Sequence, residues 1–414
     1  MNDRTALAGV CLLLVLLLVA VGCAPRRGPT LLLGNPDVEA SAMTLSLLHT
    51  EGRLIKNALG QLVELRGAAV AEMSWQSTAD LMPSRIEMLA ALTNGNATVV
   101  RVCLSSPDGE GKLTNPGSLA SEMDKIRDAC VANNLYFFCN WHGGASAAQI
   151  AAIVADDTAF LAWHTYWGNR YGNPASPKYC TNYLGQESWN EPDKWAGATQ
   201  AVLRTLQTDL RTELLAINSH LFVFAVSDDY TKVNTDFSAT PIADSHVIYV
   251  FDDYFYHGVT SPPYTHTVFD TIRGYYAASN NTAAYALMQS VLLDPPSAFN
   301  EWSGKNAGAS NIPTLWVEGG FGLTEPAQAV DDWHHILADA GVGFTDYMWW
   351  DSGTNFGLYS GSVLDRNGLL WAQYLAGIPS VGPPPDRTLD LLIAKRYTYL
   401  VARLTSFPVK RYGG

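Results

Sequence analysis

Eight short runs of nearly continuous apolar residues recur along the chain, and longer segments separate them. The runs occupy residues 62–70, 97–104, 135–141, 183–189, 221–227, 246–251, 314–318 and 344–350. Strands that are buried on both faces of a parallel sheet have this composition, because neither face meets solvent. The pattern therefore predicts eight buried β-strands.

The intervening segments repeat apolar residues every three or four positions, as the buried face of a helix does. One such face carries Leu119, Met123, Ile126 and Cys130, and another carries Leu203, Leu206, Leu210, Leu214 and Ile217. Eight strands alternating with helices predict an α/β fold, a single-domain (β/α)8 TIM barrel. The alternative is an open doubly wound sheet, which usually has a glycine-rich phosphate turn after its first strand. The segment RGAAVAEMSW has no such turn and favours the barrel.

The length and net charge of the chain limit the number of domains and the kinds of partner that we expect. The chain has 414 residues, 48% of them hydrophobic, and a barrel of this size forms one domain. Its net charge of −13 repels nucleic acid and anionic membranes, whereas a neutral polymer is indifferent to it. We therefore expect no nucleic-acid partner, and we expect a monomer.

Residues 1–23 are predicted to be an export signal. A short apolar run after Arg4 ends in AVGC, which resembles the lipobox of prokaryotic lipoproteins, with Cys23 as the lipidated residue. An ordinary signal peptide and an uncleaved anchor are the alternatives. We expect an exported protein, either a cell-surface lipoprotein or secreted. A tether is predicted at 24–45, the catalytic domain at 46–380, and an amphipathic segment packed on the barrel at 381–414.

The four cysteines beyond this signal contain no C-x-x-C pair, so a zinc site is not predicted. They are Cys103, Cys130, Cys139 and Cys180. Export permits disulfides, but a large core equally accommodates buried thiols, and the sequence leaves both states open.

Polar and aromatic residues lie at the carboxyl ends of most of the predicted strands. In a (β/α)8 barrel these carboxyl ends share one mouth, where the active site lies. The residues in question are Arg101, His142, Asn190, Glu191, Asp252, Tyr254, Glu318, Trp349 and Trp350. Two opposed carboxylates with aromatic platforms suit glycoside hydrolysis, in which one protonates the leaving oxygen and the other attacks the anomeric carbon or activates water. An amide beside the acid can bind the sugar 2-hydroxyl, which is our interpretation of Asn190 beside Glu191 in ESWNEPD.

Over about residues 50–375 the chain resembles glycoside hydrolase family 5, the endoglucanase and mannanase family of the retaining (β/α)8 clan. The most specific motif is WNEP, and the segments GRLIKNALGQLVELRGAAV, VVRVCLS, WHGG and PTLWVEGGFG are similar to other conserved strands of that family. The resemblance implies that Glu191 is the acid/base and Glu318 the nucleophile. It also implies substrate-binding or supporting roles for Arg101, His142, Asn190, Tyr254 and one of Trp349 and Trp350. No metal or organic cofactor is required by this chemistry.

Three positions depart from the family pattern. The usual His-x-Tyr of the sixth strand is Asp252-Asp253-Tyr254, which changes the electrostatic environment of the site. Gly319 and Gly320 follow Glu318 where an aromatic residue is usual, which leaves Glu301 as a rival nucleophile. Asn140 stands where an Asp usually precedes the WH pair.

Several further residues have simpler interpretations. The pairs Asp228-Asp229 and Asp252-Asp253 are expected to be solvated loop acids. His334 and His335 are expected at the surface or an interface, and Trp75 is a candidate sugar platform.

Together these features predict an exported, retaining endo-β-1,4-glycanase that hydrolyses plant-type polysaccharide, with endoglucanase (cellulase) as the leading activity. A β-1,4-mannanase of the same fold is the first alternative, because the loops that distinguish glucan from mannan or xyloglucan carry no readable signal. A non-catalytic carbohydrate-binding barrel is the alternative from another functional class.

Overall fold

The structure is a computed structural model that describes most of the chain between residues 45 and 364. The described residues are 45–70, 83, 86–87, 90, 97–104, 115–143, 146–192, 196–228, 241–254, 266–293, 312–320, 326–339, 342–345, 348–351, 357–360 and 363–364. The predicted export signal at 1–23, the predicted tether up to residue 44 and the C-terminal segment predicted at 381–414 lie outside them. The domain boundaries proposed from the sequence therefore stay predictions.

A hairpin precedes the barrel, formed by antiparallel strands β1 (Leu48–Glu51) and β2 (Leu54–Asn57). The Thr50 backbone N–H and hydroxyl both donate to the Ser245 carbonyl oxygen at 2.8 Å. The Tyr136 hydroxyl donates to the Ser46 carbonyl oxygen at 2.7 Å. Because Ser245 and Tyr136 lie at the starts of barrel strands, the hairpin packs at the end of the barrel opposite the predicted site.

Seven parallel strands follow one another around the sheet in chain order. They are β3 (Gly67–Val70), β4 (Val99–Leu104), β5 (Tyr136–Trp141), β6 (Tyr183–Glu187), β7 (Phe222–Ala225), β8 (Val247–Tyr254) and β9 (Thr314–Gly320). Every residue of β4, β5, β6 and β7 is buried, as predicted from their nearly continuous apolar composition.

The eighth predicted strand consists of two pieces that close the sheet. β10 (Gly343–Phe344) pairs in parallel with β9, and β11 (Met348–Asp351) pairs in parallel with β3. A Cβ on Gly343 would collide with the Leu65 carbonyl oxygen, so glycine permits the close approach at this seam. The (β/α)8 TIM barrel predicted from the sequence is thereby confirmed. Beyond it, β12 (Gly357–Ser360) pairs with β11, and β13 (Val363–Leu364) pairs with β12.

Helices connect the strands. They are α1 (Ala120–Ala132), α2 (Ala147–Ala155), α3 (Thr158–Trp167), α4 (Gln200–Ile217), α5 (His266–Ala277), α6 (Asn281–Leu293) and α7 (Ala327–Asp339). A 3-10 turn at Pro116–Leu119 precedes α1, and a π turn at Gly168–Gly172 follows α3. The predicted apolar faces are confirmed, because Met123 and Ile126 of α1 and Leu206 and Leu210 of α4 are buried in the core.

One surface prediction was wrong. His334 of α7 is fully buried, with its ring 5.7 Å from the Trp316 ring of β9, whereas His335 is partly exposed. Trp333 and Ile336 are buried on the same helix, so the face that packs on the sheet includes His334.

One question left open by the sequence, the state of the four cysteines, has a structural answer within the described residues. All four cysteines between 103 and 180 are free, and Cys103, Cys130 and Cys139 are buried. Within the described ranges, helices of sufficient length and apolarity to traverse a bilayer are absent.

Candidate active site

A bulge in β6 decides which of its side chains enter the barrel. Phe137 of β5 pairs with Tyr183, but Phe138 pairs with Gly185, so Leu184 is an extra residue in the ladder. Gly185 has φ +142°, and a Cβ there would collide with the Phe222 carbonyl oxygen, so only glycine fits. Because an extra residue reverses the alternation of side chains that follow it, Glu187 points into the barrel.

The side chain before Glu187 confirms this direction. Gln186 faces the surrounding helices, where its Oε1 lies 3.1 Å from Nδ1 of the buried His164 on α3. The other ring nitrogen of His164 lies 3.0 Å from the Ser188 carbonyl oxygen. Burial lowers the pKa of His164 to about 4, so a neutral ring supports the back of β6.

A second bulge lies between β8 and β9. Phe251 pairs with Trp316, but Asp252 pairs with Glu318, so Val317 is the extra residue. Trp316 therefore packs outward, with its ring 5.4 Å from that of Trp333 on α7. Glu318 and Asp252 both point inward and are buried. The bulges in β6 and β9 turn Glu187 and Glu318 inward. Together with Asp252 of β8, they place carboxyl groups from three strands at the barrel mouth.

Arg101 of β4 joins these strands. Its Nε and Nη2 donate to the two carboxylate oxygens of Glu187, both at 2.7 Å. Nη2 also donates to Asn190 Oδ1 at 2.9 Å, and Nη1 donates to Glu318 Oε2 at 3.0 Å. We call Arg101, Glu187, Asn190 and Glu318 the Arg101 cluster. The bidentate pair of Arg101 and Glu187 is fully buried. It fixes the guanidinium, and through it the positions of Asn190 and Glu318.

Glu187 was missed in the sequence interpretation. Its carboxylate is fully buried; burial raises its pKa, although the Arg101 guanidinium opposes that shift. A signal was present, because Arg101 and Glu187 each lie within a predicted buried strand, and buried charges need partners. The bulge that turns Glu187 inward had no such signal in the run YLGQESW.

Asn190 and Glu191 follow β6 in a fixed backbone segment. The Ser188 N–H donates to the Phe224 carbonyl oxygen at 3.1 Å, and the Asn190 N–H donates to the Trp141 carbonyl oxygen at 3.0 Å. Glu191 has φ +39°, a left-handed conformation that is uncommon for a residue other than glycine and is disfavoured further by the following proline, Pro192. Backbone strain of this kind concentrates at functional positions, where the surrounding bonds hold it in place.

His142 and Asn140 approach the cluster from the end of β5. Asn140 Nδ2 lies 3.3 Å from Asn190 Oδ1 and 3.4 Å from both Glu187 Oε1 and His142 Nδ1. Burial lowers the pKa of His142 to about 4, with Glu318 opposing the shift. Above that pH the ring is neutral and acts as a hydrogen-bonding group.

Two acids expected in solvated loops are buried instead. Asp228 is 7% exposed, and its Oδ2 accepts from the Gln200 N–H at 3.0 Å, so it caps the start of α4. Asp252 is 2% exposed and lies inside the barrel mouth. Burial, and then the negative charge of Glu318, raise the pKa of Asp252 well above its usual range.

The remaining predicted positions are described in part or not at all. Tyr254 ends β8 beside Gly320, and Trp349 and Trp350 lie in β11, but the description of these three covers the backbone only. Trp75, Asp229 and Glu301 lie outside the described residues. The structure thus joins Asn190 and Glu318 through Arg101, and Glu191 directly follows Asn190 in the chain.

This chain is similar to known proteins in structure rather than in sequence. No protein-family model matches the sequence, and no curated protein matches it. Among solved structures, the catalytic domain of an endoglucanase from Thermobifida fusca in complex with cellotetraose aligns with a TM-score of 0.51 at 15% identity, covering 84% of this chain and 97% of that domain. A β-glucanase from Saccharophagus degradans in complex with cellotetraose aligns with a TM-score of 0.56 at 13% identity, covering 86% and 98%.

A third similar structure belongs to a named enzyme family. It is a thermostable, halotolerant glycoside hydrolase family 5 cellulase from an Icelandic hot spring isolate, with a TM-score of 0.56 at 14% identity, covering 83% of this chain and 97% of that one. This chain has the fold of these cellulases. The alignments span nearly the whole of each matched structure, so the barrel corresponds to the complete fold of these three proteins. Their sequence identities establish similarity of fold alone.

Proposed function

We propose that the chain is a family 5 retaining endo-β-1,4-glycanase, with β-glucan of the cellulose type as the leading substrate. The observation that carries this proposal is the Arg101 guanidinium, which holds Glu318 and Asn190 together at the mouth of a barrel with the cellulase fold. Glu191 follows Asn190 directly, so both carboxyl groups required for glycoside hydrolysis belong to this mouth.

The proposed reaction has two displacements. Glu318 attacks the anomeric carbon while the Glu191 carboxylic acid transfers its proton to the leaving glycosidic oxygen, giving a glycosyl-enzyme and a shortened polymer. Glu191, now ionised, takes a proton from water as the water attacks the same carbon, which releases Glu318 and the sugar with retained configuration. This mechanism predicts a carboxyl separation of about 5–5.5 Å.

Other residues of the mouth receive supporting roles. Arg101 orients the Glu318 carboxylate, and Asn190 binds the sugar 2-hydroxyl with the amide group that Arg101 holds in place. His142, neutral at the pH of turnover, serves as a hydrogen-bonding group for substrate. Tyr254 and one of Trp349 and Trp350 are proposed as a hydroxyl donor and a sugar platform.

A reducing-sugar assay on soluble cellulose, mannan and xyloglucan tests the substrate class. We expect new reducing ends from soluble cellulose and a fall in viscosity that precedes sugar release, as internal cleavage gives. Preferential release from mannan would identify a β-mannanase of the same fold. Binding to these polymers without release from any of them would identify a carbohydrate-binding barrel and reject the enzyme.

The two carboxylates are distinguished with an activated aryl β-glycoside, whose leaving group needs no proton. Glu191→Ala should still form the glycosyl-enzyme, and azide should accelerate its breakdown to a β-glycosyl azide, because the anion enters the space of the missing side chain. Glu318→Ala should yield at most an α-azide, by one inverting attack. An α product from Glu191→Ala would reverse the roles.

Glu301 provides the control for the nucleophile. Glu301→Ala should retain polysaccharide turnover, since we assign it no step of the reaction. An inactive Glu301→Ala beside a fully active Glu318→Ala would show that the nucleophile had been misplaced.

Export and lipid attachment through Cys23 are part of the same proposal. The support is the AVGC segment after a short apolar run. Cys23→Ala should release the protein from the membrane fraction of a prokaryotic host, whereas the neighbouring Cys11→Ala should not. Unchanged fractionation of Cys23→Ala would remove the lipid anchor and leave the catalytic proposal intact.

A further inference from the structure

Asp252 is a buried carboxyl group that the two-carboxylate reaction does not use. It is 2% exposed, and within the described part of the structure neither of its carboxyl oxygens has a hydrogen-bond partner. A buried ionised carboxylate without a partner is costly, so this group needs either a cation or a proton.

The nearby cation is already occupied. An arginine has five N–H donors. Those of Arg101 go to Glu187, twice, and to Asn190, Glu318 and the Val317 carbonyl oxygen. Arg101 therefore has no donor left for Asp252. Among the described residues, no group of three or more His, Cys, Asp or Glu is arranged to hold a metal ion either.

The charged neighbours of Asp252 come from several strands of the barrel. Arg101 acts on it from β4, Glu187 and Glu191 from β6 and its loop, and Glu318 from β9. His142, from the end of β5, adjoins Arg101 and Glu318, and β7 (Phe222–Ala225) contributes no titratable side chain. Among the described residues, one guanidinium thus faces four carboxyl groups, and the charges of this set balance only if some of the carboxyl groups keep their protons.

Strand register identifies the group that can accept the Asp252 proton in a hydrogen bond. Asp252 pairs with Glu318 across β8 and β9, and paired residues of adjacent parallel strands, about 4.8 Å apart, point to the same side of the sheet. Both side chains are buried in the barrel mouth. A carboxylic acid on one strand therefore faces a carboxylate acceptor on the next.

We propose that Asp252 is an un-ionised carboxylic acid at the pH of turnover and that its hydroxyl donates a hydrogen bond to Glu318, which positions the nucleophile. The role in turnover rests on the proposed function, whereas the protonation state of Asp252 does not. Asp252 is thus a positioning residue that stabilises the ionised form of Glu318 by donating to it.

The pH dependence of kcat/KM on an aryl β-glycoside distinguishes this role from its alternatives. The low-pH side of this profile, its acid limb, reports the ionisation of Glu318. Asp252→Asn keeps an N–H donor to Glu318, so its acid limb should stay within about half a pH unit of the wild-type limb. Asp252→Ala removes the donor, so its acid limb should move up by about one pH unit. Asp228→Asn, a buried acid at the end of the adjacent strand, is the matched control and should move neither limb.

Two results would overturn the proposal. If Asp252 were ionised, both Asp252→Asn and Asp252→Ala would remove a negative charge beside Glu318 and Glu191, and both limbs would move to lower pH in both variants. If Asp252 only filled space, both variants would keep the wild-type limbs and differ in stability alone.

Infrared spectroscopy tests the protonation state without any turnover. Wild-type protein at neutral pH, with aspartate carboxyl carbons labelled by ¹³C, should show an isotope-shifted band of an un-ionised carboxyl group that Asp252→Asn lacks. Finding only carboxylate bands for aspartate would refute the proposal even in a fully active enzyme. Finding the band in a protein inactive on every polysaccharide would reject the proposed function and keep the assignment of Asp252. This measurement needs only the folded Asp252→Asn variant, should Asp252→Ala fail to fold.

Discussion

Two arginine–carboxylate clusters in this barrel share a geometry and differ in charge balance. In the Arg101 cluster, one guanidinium binds Glu187 in bidentate fashion and also binds Glu318. On the helical layer, Arg170 binds Asp124 in the same fashion at 2.9 and 2.7 Å. We call Asp124, with Arg170, Tyr171 and Lys178, the Asp124 cluster, in which Lys178 Nζ lies 3.0 Å from the carboxylate and the Tyr171 hydroxyl donates to it at 2.9 Å.

The difference lies in which charge is in excess. Asp124 has two cations for one carboxylate, and although partial burial opposes the shift, the hydrogen bonds of Arg170, Lys178 and Tyr171 lower its pKa. In the barrel mouth one cation serves several acids, and burial raises the pKa values of Glu187 and Asp252. A cluster whose carboxylate is fully paired with cations stabilises the fold. A cluster with more carboxyl groups than cations keeps some of them protonated, and such groups can take part in acid–base catalysis.

Replacing the arginine of each cluster should give the largest difference between the two clusters in stability and in activity. Arg101→Met leaves buried carboxylates unpaired, so we expect a loss of about 3–5 kcal/mol in the free energy of unfolding. Its kcat/KM should fall by about 10²–10³-fold, as for loss of a donor that acts at the reacting groups. Arg170→Met, in a partly exposed pair, should cost about 1 kcal/mol or less and leave kcat/KM unchanged.

Urea unfolding and steady-state kinetics of both variants provide the measurement. Equal losses of activity would contradict the comparison. Arg101→Lys serves if Arg101→Met does not fold, because it keeps the charge and loses the bidentate geometry.

Neutralising one acid in each cluster gives a smaller, more specific effect. Glu187→Gln weakens the bond that holds Arg101 in place, so kcat/KM should fall by about 10–100-fold, a typical cost for a supporting residue behind a reacting group. Asp124→Asn should lower stability and leave kcat/KM within twofold, on the order of the scatter for residues remote from the site. A catalytic loss in Asp124→Asn as large as that in Glu187→Gln would show that the two clusters do not differ in function.

The pH dependence of stability should separate the clusters by sign. Asp124 has a lowered pKa, so its contribution is present above its unfolded value of about 4 and is lost as pH falls through the folded value. Asp252 has a raised pKa, so its contribution is present below about pH 4 and is lost as pH rises through the folded value. Thermal unfolding between about pH 3 and pH 9 should therefore show a flatter acid side in Asp124→Asn and a flatter alkaline side in Asp252→Asn. Parallel curves for Asp252→Asn and wild type would count against a raised folded pKa.

The smallest effect belongs to Lys178. Its side chain is 37% exposed, and Arg170 remains bound to Asp124 without it. Lys178→Met should change the free energy of unfolding by about 0.5 kcal/mol or less, as exposed ion pairs do. A loss above about 1 kcal/mol in urea unfolding would mean that the second cation is a main element of the Asp124 cluster.

The strands and helices were predictable because their signals are local. A strand buried on both faces is nearly continuous in apolar residues, as residues 97–104 and 135–141 are, and a helix repeats its apolar positions. The bulges were not predictable, because the extra residue exists only relative to a neighbouring strand. Leu184 and Val317 look like ordinary members of their runs, yet they turn Glu187 and Glu318 into the barrel.

The candidate site was predictable in its residue types and less so in its electrostatics. Arg101 joins Asn190 and Glu318, as their strand-end positions suggested. Asp252 resembled a loop acid because it begins an Asp-Asp pair, and only the pairing of β8 with β9 shows it to be buried. The φ angle of Glu191 depends on bonds from neighbouring strands, which no single segment encodes.

The divided eighth strand has a consequence for the order of assembly. Ala69 of β3 finds its partner in Met348, so the first barrel strand keeps an open edge until nearly the last has been made. At synthesis rates of about 5–20 residues per second, that wait on a ribosome is on the order of 15–55 s. Glu318 reaches Arg101 only late in the same interval, so the ionic centre of the barrel is among its last parts to form. An unpaired strand edge is a site for pairing with other chains, so β3 is the strand of this barrel that is exposed longest to such pairing before β11 has been synthesised.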